Sequence, residues 1–397
     1  MTSLVLTAYT ATSCLGSGRA ATVAALEARR GGLAPCAFET VALDTCVGEV
    51  AGVHAAPLPA GLGEFECRNN RLAQLALAQD GFAAAVADCA ARLGAARIGL
   101  WLGTSTSGIL ETELAYRRRD PATGALPGDF RYRGAHNTFS VAAFVQRALA
   151  LEGPAAVISS ACSSSAKVFA SAQRAIAAGL VDAAVVGGVD SLCLTTLYGF
   201  HSLQLVARAP CRPFDAARDG ISIGEAAAFA LLERPGAPLP PDAVLLLGCG
   251  ESSDAWHMSS PHPEGRGARA AMERALAAAH LPAAEIDYLN FHGTGTPSND
   301  AAEARAVAAV LGGRTPGSST KGATGHALGA AGALEAVICA LALRHGFMPG
   351  GVNTSTIDAA LGVNYLLESR PARLKRVMSN SFGFGGSNCS LVLGRAG

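Results

Sequence analysis

The most constraining feature of this 397-residue sequence is a regular alternation between short apolar runs and longer helical patterns. Runs of strand length, such as 184–187 (AVVG) and 244–247 (VLLL), are continuous in apolar residues. Such runs are typical of strands that are covered on both faces. Gly, Pro, Asn or Asp bounds both kinds of segment, as in layered proteins. The pattern therefore predicts an α/β fold in which helices cover both sides of a buried sheet.

The same periodicities predict the positions of the individual elements. Strands are predicted near 3–9, 97–103, 155–159, 183–189, 226–232, 243–250, 286–291, 363–367, 374–379 and 389–394. Helices are predicted near 18–29, 70–91, 138–149, 163–178, 266–279, 301–311 and 327–345. The region from 104 to 137 is rich in charges, Gly and Pro, and we interpret it as an excursion from the sheet.

A proline-rich segment at 234–241 is the one marked shift in composition, and its prolines stop any helix or central strand. On each side of it, a short run leads through small residues into an Ala-rich helix, at 157–178 and again at 317–345. This repetition favours a duplicated core. We therefore predict an N-terminal half over residues 1–235 and a C-terminal half over residues 236–397.

The composition argues against several classes of function. The 31 basic and 31 acidic residues leave no net charge for binding nucleic acid. The 11 cysteines include no Cys-x-x-Cys pair, which argues against a zinc cluster and favours reduced thiols in a cytoplasm. The N-terminus lacks the basic region of a signal peptide. The apolar stretch 322–343 contains His326 and Glu335, so we expect a buried core helix and no membrane span.

Cys162 follows a predicted strand and begins a predicted helix in the segment ISSACSSSAKVF. The first turn of a helix offers free N–H groups and the positive end of its dipole, which favour a thiolate. Cys162 is therefore a candidate nucleophile. The alternative is a small buried side chain without chemistry.

Two histidines and a glycine-rich loop are further candidates. His292 follows the strand predicted at 286–291, where its imidazole could donate a hydrogen bond to a substrate carbonyl; a purely structural hydrogen bond is the alternative. His326 begins the helix predicted at 327–345, with Lys321 just upstream. Positive charge is unfavourable at a helix N-terminus, so we expect a neutral donor or a capping role there. The loop 380–388 carries two phenylalanines that could gate a pocket; an ordinary tight turn is the alternative.

Together these segments resemble the β-ketoacyl-acyl-carrier-protein synthases of types I and II, which are condensing enzymes of the thiolase superfamily. The resemblance covers essentially the whole chain and rests on SSACSSS, PFDAARDGISIGEAAAFALLE, FHGTGTPSND, STKGATGHALGAAGALE and NSFGFGGSN, in this order. It implies a duplicated five-layer α-β-α-β-α sandwich and a homodimer. It also implies an acyltransferase that condenses an acyl group on Cys162 with malonyl-acyl-carrier protein, in fatty acid, polyketide or polyene synthesis.

The resemblance implies roles for individual residues. Cys162 would take the acyl chain from the phosphopantetheine of acyl-carrier protein, and His292 and His326 would stabilise the enolate left by decarboxylation. Lys321 and Glu335 would form a pair that organises the histidines, and the N–H groups of Cys162 and Phe384 would form an oxyanion hole, with Phe384 also acting as a gate. Thr294 and Thr296 would bind the pantetheine arm, and Thr106 and Ser107 would lie beside the acyl pocket. The residues with a supporting role would be Asp300, Glu303 and Phe382. No metal and no separate cofactor are implied.

Some segments depart from the pattern of housekeeping elongation enzymes. The segment 68–71 (RNNR) is less acidic and aromatic, and the basic run 116–120 would either meet an acidic carrier protein or stay solvated. These differences, together with the serine-rich segment around Cys162, resemble synthases of aryl polyene formation. A catalytic subunit that needs a chain-length-factor partner stays open as an alternative.

Three other classes of protein are disfavoured. A coenzyme A-dependent thiolase would need a second reactive cysteine, and Cys389 lacks the Cys-x-Gly-Gly surroundings of that residue. A starter-type synthase has a Cys-His-Asn set with one histidine. It is disfavoured because the motifs FHGTGTPSND and STKGATGHALGAAGALE each supply a histidine. A non-catalytic partner subunit is disfavoured because Cys162, His292 and His326 are all present.

Overall fold

The computed structural model describes residues 3–236 and 238–397. The strands of these residues are β1 (Leu4–Ser13), β2 (Gly16–Ser17), β3 (Ala34–Pro35), β4 (Cys46–Val47), β5 (Ile98–Gly103), β6 (Ala155–Ile158), β7 (Ala183–Asp190), β8 (Ala226–Glu233), β9 (Val244–Ser253), β10 (Tyr288–Asn290), β11 (Gly317–Ser318), β12 (Phe347–Met348), β13 (Arg370–Pro371), β14 (Arg376–Gly383) and β15 (Ser387–Arg395). The α-helices are α1 (Arg19–Glu27), α2 (Arg68–Leu77), α3 (Phe82–Leu93), α4 (Ile109–Arg117), α5 (Ser140–Ala148), α6 (Ser164–Ala177), α7 (Leu194–Ser202), α8 (Arg266–Ala279), α9 (Pro297–Leu311), α10 (Lys321–Thr324) and α11 (Ala331–His345).

Two half-sheets with the same strand order form the centre of the fold. The N-terminal half-sheet has the order β6-β5-β7-β8-β1, and the C-terminal one has the order β11-β10-β14-β15-β9. In each, the three strands at the outer end are parallel and the remaining two pairings are antiparallel. The half-sheets join through a short antiparallel contact between β1 and β9. The predicted duplication is therefore present in the order and direction of the strands, while the boundary at 235/236 stays a prediction.

Helices separate and cover the two half-sheets. One face of the N-terminal half-sheet packs against α2, α3 and α5, and its other face packs against α6 and α11. These two central helices also contact the C-terminal half-sheet, whose far face is covered by α8 and α9. The layers therefore run α-β-α-β-α, and the predicted fold class is confirmed.

Helix α11 lies in the middle layer. The segment Leu328–His345 is long and apolar enough to span a membrane, but 89% of it is buried inside the protein. Glu335 on this helix forms an ion pair with Lys321 in the interior. A core helix explains the apolar stretch, as predicted, because its surroundings in the fold are apolar on all sides.

Three predicted elements differ from the structure. The helix predicted over 70–91 is two helices, because Asp80 and Gly81 have φ angles of 58° and 69° and end α2 before α3 begins. The strand predicted at 363–367 is wrong; in the described residues this segment makes one isolated bridge, from Tyr365 to Gly317. The segment 104–137 contains α4 and no strand, as expected for an excursion from the sheet. The helix predicted from 327 begins as an α-helix only at Ala331.

Candidate active site

Cys162 lies in a sharp turn between β6 and α6. Ala161 has a φ angle of 53°, a left-handed conformation that non-glycine residues adopt mainly where the surrounding structure requires it. The backbone N–H of Ser160 donates to Ser164 Oγ at 2.9 Å, which stabilises the turn. Helix α6 begins at Ser164, so the thiol stands just before the first helical turn. This strand-turn-helix geometry presents the Sγ atom to a cavity.

The thiol of Cys162 is protonated at neutral pH. Burial raises the pKa of Cys162 to about 11, although the charge of Lys321 and the N–H of Phe384 act in the opposite direction. Loss of hydration therefore outweighs the contribution of the helix terminus, which favours the thiolate. A reaction at this sulfur must remove its proton.

Cys162, His292 and His326 converge on one cavity. Their nearest potential ligand atoms all lie within 4.8 Å of one another. The two imidazole rings stand nearly perpendicular, with centroids 5.3 Å apart. The other lining residues are Phe200, Leu205, Ile221, Asp254, Ser259, Ser260, Pro261, Thr294, Thr296, Ser298, Asn299, Phe382, Gly383, Phe384 and Asn388.

Lys321 determines which nitrogen of His292 carries the proton. The Lys321 Nζ atom lies 3.3 Å from His292 Nδ1, and it also donates to His292 O at 2.6 Å and to a carboxylate oxygen of Glu335. An ammonium group can only donate, so Nδ1 accepts and we assign the proton of the neutral ring to Nε2. The Nε2–H is then a donor for a bound ligand. In this tautomer it has no lone pair for a metal ion.

Both imidazoles are neutral. Burial and the charge of Lys321 lower the pKa of His292 and that of His326 well below 6.5. Neither ring nitrogen of His326 has a hydrogen-bond partner among the described residues. Its backbone is held firmly, since its N–H donates to Ser222 O at 2.7 Å and its carbonyl accepts from Gly224 N at 3.0 Å. The ring is therefore available to a ligand and does not cap α11.

Two buried carboxylates support the loop that carries His292. Glu303 accepts hydrogen bonds from the backbone N–H groups of His292 and Gly293, both at 2.8 Å, and from Asn380 Nδ2 at 3.1 Å. Burial raises the pKa of Glu303 to about 7. Asp300 accepts from Phe214 N at 2.9 Å and so ties the start of α9 to a neighbouring loop. Both residues act on the site through the backbone.

The Lys321–Glu335 pair is almost completely buried, with 1% and 2% of the two side chains exposed. Burial raises the pKa of Glu335 to about 7, and Lys321 opposes this effect. A buried ammonium needs such a partner. The structure thus places Lys321 where it orients His292 without lining the cavity itself.

The glycine-rich loop between β14 and β15 reaches the nucleophile. The N–H groups of Phe384 and Cys162 both favour the thiolate form of Cys162, which places them beside Sγ. A Cβ atom on Gly383 would lie 3.0 Å from Ser160 O and 3.1 Å from Cys162 N, so the close approach favours glycine. These two N–H groups could accept negative charge on a bound carbonyl oxygen.

Aromatic rings line the cavity. The ring of Phe384 packs against Phe200 of α7, with centroids 5.5 Å apart. The ring of Phe382 lies 5.8 Å from that of His292. Thr294 and Thr296 line the same cavity, with their hydroxyl oxygens 2.9 Å apart. The sequence pattern missed Phe200, because no predicted element and no motif marked α7.

Other candidate residues lie away from this cavity. The Thr106 hydroxyl hydrogen-bonds to Asp190 at 2.9 Å, and the Ser107 hydroxyl donates to Asn137 O at 3.0 Å; neither residue lines the cavity. The structure of the single chain therefore does not bring these two residues to the site. Arg68 is buried in an ion pair with Glu225, so its charge is not free on the surface.

Comparisons with known proteins give the family. The model of the β-ketoacyl synthase N-terminal domain matches residues 69–236, and that of the C-terminal domain matches residues 243–355. The 3-oxoacyl-[acyl-carrier-protein] synthase 2 of Mycobacterium bovis is 37% identical over 249 residues, which are 59% of this chain and 60% of the relative. The chain thus matches about three fifths of the length of this curated relative.

Two solved structures match along the whole chain. A chain of the complex between the ketosynthase ApeO and its chain length factor ApeC from Xenorhabdus doucetiae matches with a TM-score of 0.89 and 41% identity, and the match covers 100% of this chain and 98% of that one. The ishigamide ketosynthase/chain length factor has a TM-score of 0.89 and 27% identity, with 100% of both chains covered. With the thiolase-like fold and the Cys-His-His cavity, these matches confirm the predicted resemblance: the chain belongs to the β-ketoacyl synthase family.

Proposed function

We propose that the protein is an acyltransferase that condenses an acyl group on Cys162 with malonyl-acyl-carrier protein to give 3-oxoacyl-acyl-carrier protein. One observation carries the proposal: a thiol and two neutral imidazoles meet within 4.8 Å in one buried cavity. A thiol can hold an acyl group, and neutral N–H donors suit a negative charge that develops only during the reaction.

The first half-reaction transfers the acyl group. The sulfur of Cys162 attacks the thioester carbonyl, the bond to the pantetheine sulfur breaks, and the proton of the Cys162 thiol leaves with the pantetheine thiol. The N–H groups of Cys162 and Phe384 would stabilise the oxyanion of the tetrahedral intermediate. The positive charge of Lys321 favours the thiolate while it forms.

The second half-reaction forms the carbon–carbon bond. The malonyl group loses CO2, and the electron pair of the broken bond becomes an enolate whose oxygen would accept from His292 Nε2–H and from His326. The enolate carbon attacks the acyl-Cys162 carbonyl, the bond to Sγ breaks, and the released thiolate takes up one proton. Water must be kept from the enolate, and the rings of Phe200, Phe382 and Phe384 enclose the cavity for this purpose.

The substrates would reach the cavity on the phosphopantetheine arm of an acyl-carrier protein, and we propose no further cofactor and no metal. Thr294 and Thr296 line the cavity and would bind the arm through their hydroxyls. The names of the curated relatives support the carrier protein as the partner.

We place the reaction in a cytoplasm, in fatty acid, polyketide or aryl polyene synthesis. A thiolase would need a second cysteine, but Cys389 is fully buried in β15 and does not line the cavity.

Turnover with two pairs of substrates tests this function. With acyl- and malonyl-carrier protein, we expect a 3-oxoacyl-carrier product two carbons longer, together with CO2. With acyl- and acetyl-coenzyme A, we expect no product above the background. The reverse result would favour a thiolase and would contradict the proposal.

We further propose that a second subunit covers the edge of β6. This strand ends the sheet in the described part of the chain, and its residues Ala155–Ile158 are all apolar and only partly buried. Uncovered apolar edges favour association. The sequence predicts a homodimer, whereas two of the solved relatives are named together with a chain length factor, which supports a heterodimer as the second candidate.

Light scattering after size-exclusion chromatography distinguishes the two assemblies. We expect the chain expressed alone to have twice its own mass and to show condensing activity, because a second copy can cover the β6 edge. A species of single-chain mass without activity would contradict the homodimer. It would favour the chain-length-factor partner, whose addition should then restore the activity.

The condensation rate should fall as the pH decreases through about 7. The ordinary pKa of a glutamate is 4.5, and burial raises that of Glu303 to about 7, so its carboxylate takes up a proton near neutral pH. Protonation weakens its hydrogen bonds from His292 N and Gly293 N. The folded protein therefore binds the proton of Glu303 more tightly than the unfolded chain does. The stabilisation that this gives is fully present below pH 4.5 and is lost as the pH rises through about 7.

The pH profile of kcat for the wild type and Glu303→Gln measures this effect. The histidines stay neutral in this range, because their pKa values lie well below 6.5. We expect the variant to lose the decrease in rate at low pH, because the amide of Gln does not titrate. We expect it to be about 10-fold slower than the wild type at high pH, because the NH2 group of the amide then faces a backbone N–H that Glu303 accepts from. If kcat of the variant still falls as the pH decreases through about 7, the decrease is due to protonation of Glu335, whose pKa is also about 7, and not to Glu303.

A further inference from the structure

The reacting groups come from different halves of the fold. Cys162 precedes α6 beside the N-terminal half-sheet, whereas His292 and His326 follow elements of the C-terminal half. Their spacing therefore depends on contacts between the halves close to the site. Several such contacts exist, among them the backbone hydrogen bonds of His326 with Ser222 and Gly224 and two contacts through buried side chains. Ser165 Oγ accepts from Ala333 N at 2.8 Å, and Asp190 Oδ2 accepts from Gly329 N at 2.5 Å.

Asp190 is the charged member of these contacts. It ends β7 and is fully buried. Besides the contact to Gly329 N, its Oδ1 atom accepts from Thr104 Oγ1 at 2.7 Å, Ser105 N at 2.7 Å, Thr106 N at 2.9 Å and Thr106 Oγ1 at 2.9 Å. None of these donors carries a charge, and Asp190 forms no ion pair within residues 3–236 and 238–397. A buried carboxylate without a cation is costly, and these hydrogen bonds offset that cost.

The junction around Asp190 is closely packed. The hydroxyl of Ser105 lies 3.5 Å from the carbonyl of Ala161, the residue before the nucleophile. A Cβ atom on Gly329 would lie 2.6 Å from Ser105 Oγ and 2.8 Å from Asp190 Oδ2. Gly329 is three residues after His326. The Asp190 carboxylate thus joins the 104–106 turn to the segment that carries His326, and Ser105 of that turn contacts the nucleophile turn.

We propose that Asp190 is a positioning residue that sets the spacing between Cys162 and His326. The inference rests on the proposed function, because it concerns the distance between the acyl group on Cys162 and the enolate bound at the histidines. Asp190 does not line the cavity and acts through the 104–106 turn and Gly329. Without its carboxylate, the acyl group on Cys162 and the enolate at the histidines would no longer meet at bonding distance.

The charge of Asp190 gives a readout that does not depend on substrate. Asp190 raises the pKa of Cys162 and Lys321 lowers it, while His292 and His326 are neutral. Removing the carboxylate charge should therefore increase the thiolate fraction of Cys162 at a given pH. The reaction of Cys162 with iodoacetamide should become faster, although the condensation becomes slower.

Asp190→Asn, compared with Asp215→Asn, tests the proposal. Asp215 is a matched control, because it is also buried and accepts from backbone groups, Ser355 N at 2.8 Å and Thr356 N at 3.0 Å, but does not line the cavity. In Asp190→Asn we expect kcat to fall about 100-fold with KM within about threefold, since small misplacements of reacting groups have effects of this size. Cys162 should be alkylated several times faster at pH about 8. Asp215→Asn should leave both rates within about twofold of the wild type.

Peptide masses from the alkylated protein provide an internal control. The fully buried Cys339 should stay unmodified, which shows that the fold is intact. If Asp190→Asn does not fold, Thr104→Val replaces it, because it removes one donor to Asp190 and keeps the charge. We expect this variant to lose about three- to tenfold in kcat without faster alkylation.

Three results would overturn the proposal: wild-type kcat in Asp190→Asn, an alkylation rate equal to that of Asp215→Asn, or wild-type kcat in Thr104→Val. If the wild type itself forms no condensation product, the proposed function fails. The alkylation comparison then still decides whether Asp190 acts on Cys162.

Discussion

Cys162→Ala should lower acyl loading and condensation by at least about 1,000-fold, because it removes the atom that holds the acyl group. Among the described residues, no other cysteine lines the cavity, so no second thiol can replace it. The fold should persist, since the change removes one buried sulfur and costs roughly 1 kcal/mol. Intact-mass spectrometry after incubation with acyl-carrier protein measures the loading, and thermal unfolding measures the stability.

Cys89→Ala is the matched control for this variant. Cys89 is equally small and buried, but it lies in α3, in the outer helical layer. We expect it to load acyl groups like the wild type. Acyl loading that persists in Cys162→Ala would show that another group is the nucleophile.

His326→Ala should separate the two half-reactions. We expect malonyl decarboxylation to fall by about 100- to 1,000-fold, as when one oxyanion donor is removed, and acyl loading by less than about tenfold. The reason is that the His326 ring has no partner among the described residues and is free to bind the enolate, whereas the loading step uses the N–H groups of Cys162 and Phe384. Release of CO2 from malonyl-carrier protein measures the first step, and intact mass measures the second.

His280→Ala is the control for the loss of a histidine. His280 is exposed at the end of α8 and does not line the cavity, so we expect no change in either step. His326→Gln should recover part of the decarboxylation rate, because its amide can still donate. Equal losses of both steps in His326→Ala would contradict the assigned division of roles.

Much of this architecture follows from local sequence patterns. The apolar run that became β7 is buried on both faces and is therefore continuous. The repeat of run, turn and helix reflects two half-sheets of equal strand order. The errors arose where the signal was short or ambiguous. The two residues of β11 are too few for a periodicity, and the break between α2 and α3 rests on the backbone angles at Asp80 and Gly81.

The sequence predicted which residues form the site better than it predicted their protonation states and contacts. The motifs identified Cys162, His292 and His326, because each lies at the end of an element whose pattern is readable. The protonation of Cys162 could not be predicted from the sequence, because the helix terminus is a local feature whereas the stronger effect, burial, depends on the whole fold. Phe200 and Asp190 carry no local signal, since their roles come from contacts with distant segments.

A pulse and chase followed by intact mass tests the central claim most directly. The wild type is first incubated with an acyl-carrier protein and then mixed with malonyl-carrier protein. We expect a mass increment of one acyl group on the peptide that contains Cys162, which disappears in the chase while a carrier-bound 3-oxoacyl product two carbons longer appears. An increment on another peptide, or one that persists through the chase without this product, would contradict the assignment of Cys162 and the histidines to a condensing reaction.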